Sequence, residues 1–129
     1  MTHAPSIMRM HLGCRIWIAE MNFDLNVLRI FDDYLKELSN KKSETEIKIG
    51  IEHFEKEFVD IRKEIDELRH EMHLLKMKLG AYARENKILS DKNADTSIYT
   101  VIEKRYVNFR KAFSKNKNEF TAFEGKWLD

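Results

Sequence analysis

The chain has 129 residues, 35% of them charged and 43% hydrophobic, and a formal net charge of +1 at pH 7. One cysteine excludes a disulfide framework and a cysteine-rich zinc site, and four glycines and one proline are too few for the turns of a β-sandwich or barrel. The charge balance gives no general attraction to nucleic acid or membranes, and no stretch has the ~18 uncharged apolar residues of a membrane span. We therefore expect one all-α domain with long, solvated helices.

Residues 1–20 differ from the rest of the chain. Arg9 and Arg15 interrupt their apolar residues, so the uninterrupted core of ~7–15 apolar residues of a secretory signal is missing. We interpret this segment as a disordered leader, or as the product of an upstream start codon with the natural start at Met21. We expect a single helical domain over 21–129 and a cytoplasmic protein.

A first helix is predicted over about 22–39. Apolar residues recur there at steps of three and four, which places them on one helix face and Asp24 largely off it. The members of this predicted face are Phe23, Val27, Ile30 or Phe31, Tyr34 and Leu38.

A long helix is predicted over 43–89, beginning with a capping box formed by Ser43 and Glu46. Its apolar residues keep a four-and-three repeat for about six heptads, which exceeds the three to four heptads that indicate a coiled coil. We call the a and d positions of this repeat the seam. The seam consists of Ile47, Ile51, Phe54, Phe58, Ile61, Ile65, Leu68, Met72, Leu75, Leu79, Tyr82 and Leu89, and Asn86 is its polar interruption.

Charges beside the seam favour a parallel pair of copies. Position g carries glutamates, and the next e position carries a basic residue. A parallel homodimer would therefore place opposite charges together, whereas an antiparallel homodimer would place like charges together. The expected pairs between chains are Glu57 with Arg62, Glu64 with Arg69 and Glu71 with Lys76. Two alternatives are a closed three-helix monomer, in which the shorter helices cover the seam, and a complex with a different protein.

A third helix is predicted over 97–127, capped by Asp95, Thr96 or Ser97. Its apolar face is interrupted by Asn116 and consists of Ile98, Ile102, Tyr106, Phe109, Phe113, Phe120, Phe123 and Trp127. The long helix also has a second apolar stripe roughly opposite the seam, formed by Leu74, Met77, Ala81 and Ile88. We expect the third helix to fold back on this stripe, because a helix that is apolar on two sides is buried on two sides.

Basic side chains interleave with aromatic ones in the third helix. Such a tract is able to contact phosphates and stack bases, although the aromatic residues keep helical spacing and are better interpreted as core. The basic residues of this tract are Lys104, Arg105, Arg110, Lys111, Lys115 and Lys117. They support an alternative function in binding nucleic acid or an acidic partner.

No constellation of catalytic residues is apparent. Glu67 and His70 have the Glu-x-x-His spacing of di-iron bundles, but such sites need two copies of the motif and two further glutamates. No phosphate-binding glycine loop or nucleophile motif occurs. We therefore expect no enzyme activity, no metal and no cofactor.

The sequence thus predicts an elongated all-α protein, with a long central helix over 47–89 flanked by two shorter helices. Its predicted function is that of a self-associating scaffold or adaptor, most simply a parallel homodimer through the seam. Binding to another protein is the second possibility for its partner.

Overall fold

The computed structural model describes residues 6–85 and 92–127, and over these residues the chain forms three α-helices and no strand. Helix α1 spans Ile7–Lys41, α2 spans Thr45–Glu85 and α3 spans Lys92–Trp127, with 35, 41 and 36 residues. The all-α prediction is confirmed. The helices are similar in length, so the expected arrangement of one long central helix and two shorter ones is not the one that the chain adopts.

Helix α1 begins far earlier than predicted. The hydroxyl of Ser6 accepts a hydrogen bond of 3.1 Å from the backbone N–H of Arg9 and caps the helix. Met10, Cys14 and Ile18 then follow at intervals of four and are buried in the core. A disordered leader is therefore wrong for residues 7–20, whose arginines lie on the solvent side. Residues 1–5 lie outside the described residues.

The buried face of α1 agrees with the prediction at Val27, Phe31 and Leu38, and it differs elsewhere. Phe23 is 66% exposed, whereas Met21, Leu28 and Leu35 are buried, and Asp24 is only 1% exposed. The apolar spacing indicates a different face because the carboxylate of Asp24 occupies a position that faces the core. Because Asp24 is polar, the predicted face lies about one residue away from the face that is buried.

The other helix boundaries differ by a few residues. Helix α2 begins at Thr45 rather than Ser43, and α3 begins at Lys92, so Asp95, Thr96 and Ser97 lie within it instead of capping it. The end of α3 at Trp127 agrees with the prediction. The predicted end of the long helix at Leu89, and Asn86 with it, lie outside the described residues.

Pairs of contacting side chains establish how the helices run. Asn22 and Asp32 of α1 contact Arg69 and Arg62 of α2, in reverse order, so α1 and α2 are antiparallel. By the same reasoning α2 and α3 are antiparallel, since Lys78 contacts Asp95 and Glu57 contacts Asn116. Helices α1 and α3 are parallel, since Glu20 contacts Tyr106 and Asp24 contacts Arg110. The chain is a three-helix bundle of up-down-up topology.

One end of the core is built from phenylalanine rings, and we call it the aromatic end. Its members are Phe31, Phe54, Phe58, Phe120 and Phe123, and they come from all three helices. The rings of Phe31 and Phe120 are 4.3 Å apart between centroids, and those of Phe54 and Phe120 meet edge to face at 5.3 Å. The edge-to-face pair has a separation that is typical of favourable aromatic pairs.

A second part of the bundle carries polar side chains, of which Asp24 and Tyr106 are buried, and we call it the polar layer. It consists of Glu20 and Asp24 on α1 and Tyr106 and Arg110 on α3. The Tyr106 hydroxyl donates a hydrogen bond of 2.9 Å to Glu20, and Arg110 donates to Asp24. Burial and the Glu20 carboxylate both raise the pKa of Tyr106, so its hydroxyl stays protonated at neutral pH.

Candidate interaction surface

The seam of α2 is buried inside the chain itself. Most of its members belong to a single core cluster that also contains side chains of α1 and α3. Ile61 and Tyr82 are partly buried, and Leu89 lies outside the described residues. The predicted burial of the seam is correct, but the described residues of the same chain provide the cover that the prediction assigned to a second copy.

The charges beside the seam also find partners within the chain. Arg62 at an e position contacts Asp32 of α1, and Arg69, at the next e position, donates a hydrogen bond of 2.7 Å to Asn22. On the g side, Glu71 accepts from Arg105 of α3. The e side of the helix therefore faces α1 and the g side faces α3.

The remaining members of the predicted pairs follow the same division. Glu57, at a g position, accepts a hydrogen bond from Asn116 of α3. Glu64 lines a groove together with residues of α3, and Lys76 is close enough to Cys14 of α1 to affect the pKa of its thiol. The alternation of charge thus distinguishes the two neighbours of α2 in the bundle. A parallel pair through the seam would need α1 and α3 to move away.

An exposed apolar surface lies on the outside of α2 and α3. Leu74, Ile98 and Val101 are 56%, 46% and 59% exposed, and they line a groove of about 500 Å³ between the two helices. Leu75 and Ile102 form the buried apolar base of this groove. We call it the α2–α3 groove. Exposed apolar side chains that are contiguous in this way are typical of interaction sites.

Two ion pairs border the α2–α3 groove. The Nζ atom of Lys78 is 2.8 Å from a carboxylate oxygen of Asp95, whose side chain is fully buried. Arg105 pairs with Glu71 at the other side. Each charge that lines the groove is thus compensated within the chain, and the groove presents an apolar surface with a neutral border.

The second apolar stripe does not receive α3 as predicted. Leu74 and Met77 remain exposed, Ala81 is partly buried, and Ile88 lies outside the described residues. Helix α3 instead packs against the seam and its g side, where the Phe120 ring contacts the rings of Phe54 and Phe58. Of the stripe, Leu74 lines the α2–α3 groove.

The basic tract of α3 is divided between internal and external contacts. Arg105 and Arg110 pair with acidic residues of α2 and α1, and the ammonium of Lys117 lies 5.0 Å from the centre of the Phe113 ring. Lys104, Lys111 and Lys115 are exposed. The interleaved aromatic residues Tyr106, Phe109 and Phe113 are buried, so they are not available to stack on bases.

Glu67 and His70, which have the Glu-x-x-His spacing, are not part of a metal-binding cluster within the residues that the structure describes. Glu67 is largely exposed and lies near Arg105, and His70 is exposed. Partial burial lowers the pKa of His73, with a smaller contribution from the neighbouring cations Lys76 and Arg69 and from His70. Burial raises the pKa of the Cys14 thiol to about 11, which leaves little thiolate at neutral pH.

The α2–α3 groove was missed because Ile98 was assigned to the core. Its neighbour Tyr99 is buried instead, stacked on Trp17 at 5.1 Å. The signal that was present in the sequence is the spacing of Ile98 and Val101, which repeats the three-residue step of Leu74 and Met77 on the other helix.

Within residues 6–85 and 92–127, every helix is too polar to serve as a membrane span. Comparison of the chain with protein-family models, with curated proteins and with solved structures gave no match.

Proposed function

We propose that this protein is a helical self-association module, in which a second copy docks on the α2–α3 groove. The observation that carries the proposal is the contiguous apolar surface of Leu74, Ile98 and Val101, which the three-helix core leaves uncovered. The seam is not the proposed interface, since α1 and α3 already occupy it. The role as a scaffold or adaptor that the sequence predicts is retained, with a different surface.

A second copy fits the groove for two reasons. An interface with twofold symmetry uses the same patch on both subunits, so the patch has to be compatible with itself. The α2–α3 groove meets this condition because it is apolar and its acids and bases are balanced and paired within each chain. The net charge of +1 also means that two copies repel each other little.

The mass in solution over a wide range of concentration tests the proposal. Val101→Glu introduces a charge into the groove, and we expect it to shift the protein to the monomer at concentrations where the wild type is dimeric. Val107→Glu is the matched control, because Val107 lies on the same helix, is 46% exposed and does not line the groove. A monomeric wild type at every concentration, or equal effects of both substitutions, would contradict the proposal.

A substitution in the seam separates the two possible interfaces. Ile65→Asp buries a charge at a position with 0% exposure, so we expect it to unfold the monomer. Circular dichroism should then report loss of helix. A folded Ile65→Asp monomer that has merely lost its dimer would favour the seam over the groove.

The exposed lysines of α3 support a second candidate function, the binding of an acidic partner. Lys104, Lys111 and Lys115 lie within one face of the helix, since their spacings of seven and four residues are close to whole turns. Binding that weakens steeply with salt and is lost on Lys111→Glu and Lys115→Glu would support it. Absence of binding at low salt would exclude it.

A further inference from the structure

A cluster of side chains that could bind a metal ion lies near the aromatic end, on the outside of α2 and α3. His53 and Glu57 are four residues apart on α2, so they lie on one face of that helix. Glu119 on α3 completes the cluster, and the potential ligand atoms of the three residues lie within 4.8 Å of one another. We call these residues the His53 cluster.

Asn116 provides an independent indication of a ligand. It is only 6% exposed and it interrupts an otherwise apolar face of α3. Its Nδ2 group donates to Glu57 of the His53 cluster, while its buried Oδ1 atom has no hydrogen-bond partner within the part of the chain that the structure describes. Buried side-chain oxygens nearly always have a partner, and an apolar residue would fill this position without leaving one unsatisfied. A bound group that donates a hydrogen bond would account for the asparagine.

We propose that His53, Glu57 and Glu119 bind a divalent transition-metal ion of the zinc type between α2 and α3. One imidazole nitrogen and two carboxylates form a borderline donor set, which suits Zn²⁺, Co²⁺ or Mn²⁺ better than Mg²⁺. Three protein ligands leave a coordination position for water. Asn116 is a positioning residue, since its Nδ2 group donates a hydrogen bond to the Glu57 carboxylate.

The distances are compatible with this assignment. Ligand atoms of a tetrahedral zinc site are about 3.4 Å apart, given bonds of about 2.0–2.1 Å. The Nε2 atom of His53 is 3.2 Å from Oε1 of Glu57. The remaining separation to Glu119 closes by rotation of exposed side chains. Lys115, which lies 4.0 Å from Glu119 and is 80% exposed, is free to swing towards solvent when the metal neutralises that carboxylate.

The test uses the full chain, freed of metal by dialysis against a chelator and titrated with Co²⁺. We expect one equivalent of Co²⁺ to bind and to show the visible absorption bands that are typical of Co²⁺ with a low coordination number. Addition of Zn²⁺ should abolish these bands. His53→Ala should remove the binding and keep the helical circular dichroism, since His53 is 55% exposed. The matched control is the double variant His70→Ala, His73→Ala, which removes two other histidines of α2 and should bind Co²⁺ as the wild type does.

Two further variants test the roles of the other residues. Glu119→Gln should weaken Co²⁺ binding strongly, because it removes a ligand from α3. Asn116→Leu should weaken binding about 10- to 100-fold, the usual effect of losing a group that orients a ligand, and should raise the melting temperature of the metal-free protein. Unchanged affinity in His53→Ala or Glu119→Gln would overturn the site. An equal loss in the His70, His73 variant would show adventitious binding to surface histidines and would also overturn it.

Discussion

The aromatic end and the polar layer each contain side chains that are closed to solvent, and the chemistry of these side chains is opposite. Phe58 at the aromatic end is fully buried, and Asp24 in the polar layer is 1% exposed. Burial of rings stabilises the fold with little dependence on direction, whereas the ion pair of Asp24 and Arg110 requires one alignment of α1 and α3. The difference indicates that the aromatic end supplies stability and that the polar layer selects how the helices are aligned.

The largest effect is expected from Phe58→Ala. The Phe58 ring contacts Phe31, Phe54 and Phe120 from three helices, and its loss leaves a cavity. The free energy of unfolding in urea should fall by about 3–5 kcal/mol. Val59→Ala is the control, since Val59 is the next residue and is exposed, and it should change the value by less than about 0.5 kcal/mol. Similar effects of both changes would mean that the aromatic end does not carry the stability.

The next effect is expected from Arg110→Ala in the polar layer. This change leaves Asp24 buried without its cation, which should reduce the free energy of unfolding at neutral pH by about 2–3 kcal/mol. The figure is below that of a fully buried pair because the Arg110 side chain is 35% exposed. Adding Asp24→Asn to this variant should restore part of the loss. A double variant that is less stable than Arg110→Ala would contradict the role assigned to the pair.

The polar layer should also make stability depend on pH. Burial raises the pKa of Asp24 above its usual value of 3.8, and this outweighs the opposite effect of Arg110. The folded state therefore takes up the proton more readily than the unfolded state. The stabilisation that results is complete below the unfolded pKa and is lost as pH rises through the folded pKa. Urea unfolding from about pH 7 down to about pH 4 should show wild type gaining stability relative to Asp24→Asn, and parallel profiles would contradict this sign.

A smaller effect should separate two glycines of α2. A Cβ atom at Gly50 would overlap the Phe123 ring of the aromatic end, whereas one at Gly80 would lie 3.5 Å from the nearest side-chain atom, that of His11. Alanine is favoured over glycine in a helix by up to about 1 kcal/mol. Gly80→Ala should therefore raise the melting temperature, and Gly50→Ala should lower it. Equal gains for both would show that the aromatic end is loosely packed.

The smallest effect is expected from the pair of Arg62 and Asp32, between α1 and α2. Both side chains are about one-third exposed, so a double-mutant cycle with alanine should give a coupling of about 0.2–1 kcal/mol. The coupling should not depend on protein concentration, because both partners belong to one chain. A coupling that grows with concentration would restore Arg62 to an interface between copies.

Much of the core was predictable from the seam of α2 and the aromatic face of α3, because each repeats with the period of a helix. The face of α1 was not, since Asp24 stands where the pattern calls for an apolar residue and Arg110, its partner, lies far along the chain. The His53 cluster could not be predicted from the sequence either. His53 and Glu57 have an ordinary spacing, and Glu119 joins them only through the packing of α3.

Local periodicity determines most of the helical residues of α2 and α3 and which side of α2 is buried, because both depend on neighbours within two turns. It does not determine what covers the seam. A helix of the same chain and a helix of a second copy bury a heptad face equally well, and the charges at e and g suit either one. The tertiary structure decided in favour of α1 and α3, since contacts within one chain carry no loss of translational freedom, and this left the α2–α3 groove open.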